Sequence, residues 1–237
     1  FPDFYDITLL YDAENTMENA YDLLNQNMNI VQHTGHAGKT VLSLESGRIR
    51  LSNLDNLQNE YGGVFYSIGC WSSALDYDSI GEALVMSEGK GMLAYVGNSR
   101  YGWGSPSASG FGFSEFFQKE FFKQMFWYDT TLISQTNTLQ KMPFIPYFGG
   151  TSIYKWCAYQ LNEVGDSYFN LIIGNPKELD VSIYNNSNIT VVVMSESLPV
   201  EGAIITCGEY QTQTNAFGEA ELEESDDIVS VYKYGYQ

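Results

Sequence analysis

Short apolar runs alternate with amphipathic segments along the N-terminal part of the chain. The runs typical of buried strands are Ile7–Tyr11, Asn29–Gln32, Val64–Gly69 and Met92–Gly97. Helical patterns lie between or after these runs, and this alternation favours a mostly parallel sheet that is covered by helices on both faces. The pattern therefore predicts a three-layer α/β/α domain.

Apolar residues recur at helical spacing in several segments. One follows Asn15, which has the spacing of a capping box with Glu18, and another covers about residues 79–87. Two later segments carry apolar stripes, formed by Phe113, Phe117, Phe121 and Met125 and by Ile153, Trp156, Cys157 and Leu161. We expect both stripes to face the sheet and to fill its core.

The pattern changes after about Lys177. Short β-like runs separated by turn residues then follow one another, at Asp180–Tyr184, Ile189–Met194, Ala203–Cys207 and Ala220–Glu223. We therefore divide the chain into an α/β domain over residues 1–177 and a small all-β module over residues 178–237.

Composition and charge narrow the classes of function. The hydrophobic fraction of 44% and the charged fraction of 17% are typical of a folded chain. A formal net charge of −18 with 11 Lys and Arg leaves no basic surface for phosphates, so nucleic acid is not an expected partner. No apolar run approaches the roughly 18 residues of a membrane span.

The candidate chemistry lies after two neighbouring strands. The chain has 2 histidines, His33 and His36, at the end of the second predicted strand, and Cys70 follows the third. Loops at the carboxyl ends of adjacent strands meet in one crevice of an open α/β sheet, so imidazole and thiol can come together there. An imidazole raises the thiolate fraction of a neighbouring thiol, which a cysteine nucleophile requires.

Glycines flank both candidate residues and let backbone N–H groups approach a substrate carbonyl oxygen. The N–H groups of Ala37 and Cys70 are our candidates for an oxyanion hole. The alternative is that Cys70 is a small buried apolar residue at the end of a strand. A zinc site is not expected, because Cys157 and Cys207 fall in unrelated elements.

The order of motifs resembles that of gingipain-type peptidases. The motifs are Ile30–Gly38 (IVQHTGHAG), Val64–Cys70 (VFYSIGC), Gly91–Arg100 (GMLAYVGNSR) and Leu171–Pro176 (LIIGNP). The resemblance covers about residues 5–180. It implies a caspase-like fold and peptide-bond hydrolysis.

The same resemblance implies roles for individual residues. Cys70 would be the nucleophile, His36 the general base that later protonates the leaving amine, and Trp103 the aromatic wall of the pocket for the residue before the scissile bond. Two residues depart from the family pattern: Ala37 stands where a glycine is usual, and Asn175 where an aspartate is usual.

The family resemblance extends to location, metals and neighbouring sequence. It implies a secreted or cell-surface protein that needs no cofactor, although relatives carry structural calcium. Relatives also have further upstream strands and an acid that orients the histidine. We therefore expect this chain to be the second part of the peptidase domain and an N-terminal fragment of the same precursor to be a partner.

The C-terminal module carries a second resemblance. Val200–Ile205 and Thr214–Ala220 are similar to segments of immunoglobulin-like or carboxypeptidase-regulatory-type β-sandwiches. No catalytic group is visible in this module.

These observations leave more than one function open. The first hypothesis is a cysteine endopeptidase that acts on protein or peptide substrates through Cys70 and His36. The second is a catalytically silent homologue that serves as a binding or adhesion module. A cysteine transpeptidase on the same scaffold is a third, because an amine can resolve an acyl-enzyme in place of water. The intact Cys/His pair in its glycine setting favours an enzyme.

Overall fold

A computed structural model describes residues 5–105, 108, 110–174, 177–185, 189–222, 228–233, 235 and 236. The chain divides into two compact units, of which the first extends to Ile173 and the second begins at Gly174. Asn175 and Pro176, the last two residues of the Leu171–Pro176 motif, lie outside the described residues.

The first unit contains both helices and strands. Its strands are β1 (Ile30–His33), β2 (Ala37–Gly38), β3 (Val41–Ser43), β4 (Arg48–Arg50), β5 (Gly62–Ser67), β6 (Met92–Asn98) and β7 (Leu161–Gly165). Its α-helices are α1 (Met17–Leu24), α2 (Ile80–Met86), α3 (Phe113–Tyr128), α4 (Ile133–Leu139) and α5 (Ile153–Gln160). Short 3-10 helices cover Asp12–Glu14, Leu51–Asn56 and Met142–Tyr147.

The central sheet has 4 strands in the order β1-β5-β6-β7. Strands β1, β5 and β6 are parallel, and β7 runs antiparallel to β6. Every residue of β5 is buried, which explains why this strand has a continuous apolar sequence rather than an alternating one. The predicted mostly parallel sheet is confirmed.

Helices cover both faces of this sheet. Successive side chains of a strand point to opposite faces, so Tyr66 packs against α3 while Phe65 packs in a second cluster with α1 and α2. The first cluster also contains Phe117, Phe121 and Met125 of the predicted apolar stripe. The three-layer arrangement is the predicted one.

Two helix N-termini show how local sequence sets the element boundaries. Ser79 and Glu82 form a reciprocal capping box at the start of α2. The capping box predicted for Asn15 is wrong: Thr16 is the N-cap of α1, and its hydroxyl accepts the Asn19 N–H at 3.2 Å. Asn and Thr are both common N-cap residues, and here the Thr16 hydroxyl is the group that reaches the N–H of Asn19.

The strand predicted at Ile7–Tyr11 is also wrong. This segment has no regular structure, and Ile7 and Leu9 are 49% and 66% exposed. An apolar run becomes a strand only when another strand pairs with it, and no strand of the described residues does so here. The segment after His36, for which no strand was predicted, contains a small antiparallel sheet in the order β2-β3-β4.

The helix α5 follows the prediction only in part. Cys157 and Ala158 are buried in the core cluster of α3, whereas Trp156 is 44% exposed. The indole N–H of Trp156 donates instead to the carbonyl of Tyr101 at 3.0 Å. Of these two residues of the predicted stripe, Cys157 therefore faces the core and the Trp156 indole does not.

The second unit is built from antiparallel strands. They are β8 (Asp180–Asn185), β9 (Ile189–Ser195), β10 (Leu198–Pro199), β11 (Ile204–Cys207), β12 (Tyr210–Gln213), β13 (Glu219–Leu222) and β14 (Val229–Tyr232). One sheet joins β8, β9, β10 and β13, and the other has the order β12-β11-β14. Side chains of both sheets, including Val191 and Ile205, share one core. The module is all-β as predicted, and its immunoglobulin-like topology stays a prediction.

None of the helices in the described ranges has the length and apolar character that a membrane crossing requires.

The packing of Cys157 gives a test of the core. We expect Cys157→Ala to lower the free energy of unfolding by about 1 kcal/mol, because the side chain is 2% exposed and its loss leaves a small void. Met86→Ala is the matched control, since Met86 is 77% exposed and should change stability by less than about 0.5 kcal/mol. Urea denaturation of both variants measures the difference, and an equal effect would contradict the packing.

Candidate active site

The carboxyl ends of three neighbouring strands form one edge of the central sheet. The β1–β5 register pairs His33 with Ser67, and the β5–β6 register pairs Ser67 with Gly97. His36 and Cys70 each lie 3 residues beyond the His33–Ser67 pair. The loops that carry the two predicted site residues therefore leave the sheet side by side, and each residue lies the same number of positions beyond the end of its strand.

The loops that carry these residues are in direct contact. A Cβ atom on Gly69 would lie 2.4 Å from the Cβ of Ala37 and 3.2 Å from the carbonyl oxygen of Gly35. Any side chain at position 69 would therefore separate the loops, and glycine is required for this close approach. The His36 loop is fixed in turn by the Ser43 N–H, which donates to the His36 carbonyl at 2.9 Å.

Cys70 is half-buried at the start of a turn. Its Sγ lies 3.9 Å from the carbonyl oxygen of Gly102. Within the described part of the chain, the Cys70 N–H donates to no backbone or side-chain acceptor. An N–H group without an internal partner beside a thiol is suited to receive a substrate carbonyl oxygen. Ala37, whose N–H is the second candidate donor to a substrate oxyanion, is paired with Leu42 in the antiparallel pair of β2 and β3.

The turn after Cys70 is held by backbone groups at the end of β6 and just after it. The N–H of Trp71 donates to the Arg100 carbonyl at 2.8 Å, and the N–H of Ser73 donates to the Asn98 carbonyl at 3.0 Å. Trp71 has a φ of 59°, a left-handed conformation that costs an L-residue about 1–2 kcal/mol. Such strain persists where several neighbouring hydrogen bonds hold the backbone in one conformation, and it is common at functional sites.

A cluster of aromatic rings and cations surrounds this turn. The Lys39 ammonium lies 3.0 Å from the ring centre of Tyr77, and the Arg100 guanidinium lies 4.9 Å from that of Trp71. Arg100 also forms an ion pair with Asp76 at 3.0 Å. The sequence pattern did not predict this cluster. One signal was present: in a chain with 11 cationic residues, Lys39 follows the His36 loop and Arg100 follows β6.

Trp103 lies directly after Gly102, in the loop between β6 and α3. Its N–H donates to the hydroxyl of Ser114, and its carbonyl accepts the Ser114 N–H, both at 2.9 Å. Ser114 belongs to the first turn of α3, so the helix fixes the Trp103 backbone. The indole is 43% exposed and follows Gly102, whose carbonyl faces the Cys70 thiol.

The two histidines have different surroundings. His36 is exposed, and its ring has no hydrogen-bond partner among the residues that the structure describes. His33 is buried between Ser67 and Ser43, and burial lowers the pKa of its imidazole, with a further lowering from the nearby His36. The sequence pattern indicated only that His33 ends a strand, and it gave no sign of this bridging position.

Across the described ranges, no group of 3 or more His, Cys, Asp or Glu side chains is arranged to hold a metal ion.

Comparison with known proteins points to one family and one fold. The family model described as Peptidase family C25 matches residues 1–172. The chain is also similar to the solved structure titled "Crystal structure of the Arg specific cysteine proteinase gingipain R", with a TM-score of 0.63 and 15% sequence identity. That match covers 96% of this chain and 55% of the gingipain chain.

A second solved structure, titled "Structure of Protease", matches with a TM-score of 0.56 and 18% identity over 91% of this chain and 54% of the other. This chain thus spans little more than half the length of either structure. At these identities the likeness concerns the fold, which is caspase-like. No curated protein sequence matches the chain significantly.

The three thiols should differ in reactivity. Burial raises the pKa of Cys157 to about 11, so about 0.1% of this thiol is ionised at pH 8. Cys207 is 1% exposed, whereas Cys70 is half-buried beside a loop. We expect iodoacetamide to modify Cys70 in the native protein and the other two thiols only after denaturation. Mass spectrometry of the digested protein checks this, and uniform native labelling would contradict the burial of Cys157 and Cys207.

Proposed function

The chain belongs to peptidase family C25, and from this premise we propose that it is a cysteine endopeptidase that hydrolyses peptide bonds through Cys70 and His36. The observation that carries the proposal is the strand register, which starts both loops at the same level, together with the Gly69–Ala37 contact, which holds them together. A nucleophile and its base must lie within hydrogen-bond reach of each other, directly or through one water, and loops that are neighbours and in contact allow this.

The reaction follows from the chemistry of the two groups. His36 takes the thiol proton while Cys70 Sγ attacks the carbonyl carbon of the scissile bond and forms a C–S bond. The tetrahedral intermediate then collapses, and the C–N electron pair leaves with the amine, which His36 protonates. Water, deprotonated by His36, attacks the resulting thioester and releases the acid product and the Cys70 thiol.

Backbone groups and one aromatic ring complete the proposed site. The Cys70 N–H, which has no acceptor within the described residues, and the Ala37 N–H would stabilise the oxyanion of the intermediate. Trp103 would form the wall of the pocket for the residue before the scissile bond, since its backbone is fixed to α3. The expected substrates are proteins and peptides.

We further infer that this chemistry needs no cofactor, because thiol and imidazole supply both the nucleophile and the proton transfer. The resemblance to secreted and cell-surface peptidases supports the same location for this protein.

Two variants test the assignment of the dyad. We expect Cys70→Ala to remove peptide hydrolysis, and His36→Ala to lower kcat by about 1,000-fold or more, because each removes a reacting group. Cys157→Ala is the matched thiol control and should retain turnover, since its side chain lies in the helix-packed core. Turnover of a mixture of fluorogenic peptides provides the measurement.

A panel of peptidyl acyloxymethyl ketones identifies the nucleophile and the preferred residue together. Mass spectrometry of the labelled protein should find the inhibitor on Cys70. A Cys70→Ala protein with full activity, or a protein that neither turns over peptides nor reacts with the panel, would contradict the endopeptidase assignment and leave the binding module as the better description.

The proposal includes a partner at the outer edge of β1. No strand in the described ranges pairs with this edge, and a cavity of about 400 Å³ lies between β1, α1 and the irregular segment around Leu9. An open strand edge is a template for pairing. We propose that an upstream segment of the same precursor pairs with it, as the resemblance to peptidases with further upstream strands implies.

An activity comparison tests this partner. We expect the 237-residue chain to have lower specific activity than a longer protein that includes upstream sequence, and the added segment, supplied separately, to raise it. Leu9→Asp should weaken this activation, because the exposed Leu9 side chain borders the cavity. Met86→Asp, at an exposed apolar site on α2, is the control. Equal specific activity of the two proteins would count against the partner.

A further inference from the structure

His33 lies at the centre of a buried hydrogen-bonded unit beneath the candidate site. Its Nδ1 is 2.9 Å from Ser67 Oγ, and its Nε2 is 3.1 Å from the carbonyl oxygen of Ser43. His33 is 9% exposed and Ser67 is fully buried. Neither side chain is assigned a role in the proposed reaction, although both end the strands that carry the reacting residues.

The acceptor at Ser43 determines which ring nitrogen carries the proton. A carbonyl oxygen can only accept, so Nε2 must hold a hydrogen and donate it to Ser43. Nδ1 then has a free lone pair and accepts the hydroxyl hydrogen of Ser67. The oxygen of Ser67 is left to accept the Gly69 N–H, which lies 3.1 Å away. One arrangement of hydrogens thus satisfies every group of the unit.

Each end of the imidazole is connected to one of the two loops by a single residue. On one side, Ser43 binds the ring through its carbonyl and the His36 carbonyl through its N–H. On the other side, Ser67 binds the ring and the N–H of Gly69, the residue directly before Cys70. The ring therefore connects the backbone of the proposed base to that of the proposed nucleophile.

Close packing makes this connection stiff. A Cβ atom on Gly35 would lie 3.0 Å from His33 Nε2, so the His36 loop rests on the ring. A Cβ atom on Gly69 would lie 3.2 Å from Ser67 Oγ. A side chain at either position would therefore press on the unit and displace a loop. Moving the loops away from the ring would break hydrogen bonds inside a buried region, at a cost of about 1–3 kcal/mol for each unsatisfied group.

We propose that His33 and Ser67 are positioning residues that fix the relative placement of His36 and Cys70. This inference rests on the proposed function, and it gives His33 a role other than that of a second base. Both of its nitrogens are occupied by the protein, so the ring has no free position for a substrate proton. Burial also lowers the pKa of His33, which keeps the ring neutral and its hydrogens in this arrangement above pH 7.

The test compares variants that break different parts of the unit. His33→Phe keeps a ring and removes both hydrogen bonds, and Ser67→Ala removes the link to Gly69. His33→Asn keeps an acceptor near the position of Nδ1 and should retain the Ser67 link alone. Tyr66→Phe is the matched control, because it removes a buried hydrogen bond of 2.8 Å to Gln140 from the adjacent residue of the same strand.

We expect His33→Phe to lower kcat on the order of 100-fold with less than about threefold change in KM, since misplacement of a reacting group affects the chemical step. Ser67→Ala should follow in the same direction, and His33→Asn should recover part of the loss. The pH profile of Cys70 alkylation by iodoacetamide, followed by mass spectrometry, should shift toward the profile of His36→Ala in the first two variants. Tyr66→Phe should leave kcat and this profile unchanged.

Two outcomes would overturn the positioning role. Wild-type kcat in both His33→Phe and Ser67→Ala is one, and a loss in Tyr66→Phe as large as that in His33→Phe is the other, because any buried defect would then suffice. If His33→Phe does not fold, Ser67→Ala, which removes a single oxygen atom, still tests the positioning role. Failure of the proposed function has a different signature: His36→Ala itself would then leave both kcat and the Cys70 profile unchanged.

Discussion

The parallel pairing of β1 with β5 is the constraint on which the candidate site depends. Its register places His33 opposite Ser67, and from this level each chain continues into a loop that carries one of the proposed reacting groups. A shift of one residue would displace one loop by about 3.3 Å and turn His33 to the other face of the sheet. The apolar side chains of β5, buried on both faces, oppose such a shift.

The two loops can lie close together because glycines or backbone groups form their points of contact. Gly35 and Gly69 let the loops touch each other and the buried polar unit. On the far side of Cys70, the carbonyl of Asn98 at the end of β6 accepts the N–H of Ser73, and the carbonyl of Arg100 accepts that of Trp71. The thiol is thus held by backbone bonds from both neighbouring strands, while its own N–H stays without an acceptor in the described part of the chain.

The sequence was sufficient to predict the elements that are fixed by buried surface. The uninterrupted apolar run of β5 and the stripe of α3 predicted a central strand and a helix, because burial leaves little choice of residue there. The Ile7–Tyr11 run misled the prediction, since strand formation needs a partner that the run itself does not specify. The helix cap at Thr16 moved by one position because adjacent capping residues compete locally.

The candidate site was predictable to a similar degree. The glycine-flanked His36 and Cys70 were identified from motif order, and their roles remain predictions. The contribution of His33 could not be read from the sequence, because a histidine at the end of a strand has no pattern that separates packing from bridging. The cation and aromatic cluster around Trp71 depends on contacts between residues far apart in the chain, such as Lys39 and Tyr77. Periodicity carries no information about such contacts.

The order of strands also affects how the site forms during folding. β1, β5 and β6 are neighbours in the sheet and follow one another along the chain when the small β2-β3-β4 sheet is set aside. The contacts that join their ends span 34 residues between His33 and Ser67 and 30 residues between Ile68 and Asn98. Because the entropy of loop closure rises only slowly with length, both closures cost nearly the same. Strand β7 comes later in the chain, after helices α3 to α5, so the ends of β1, β5 and β6 can meet before the sheet is complete.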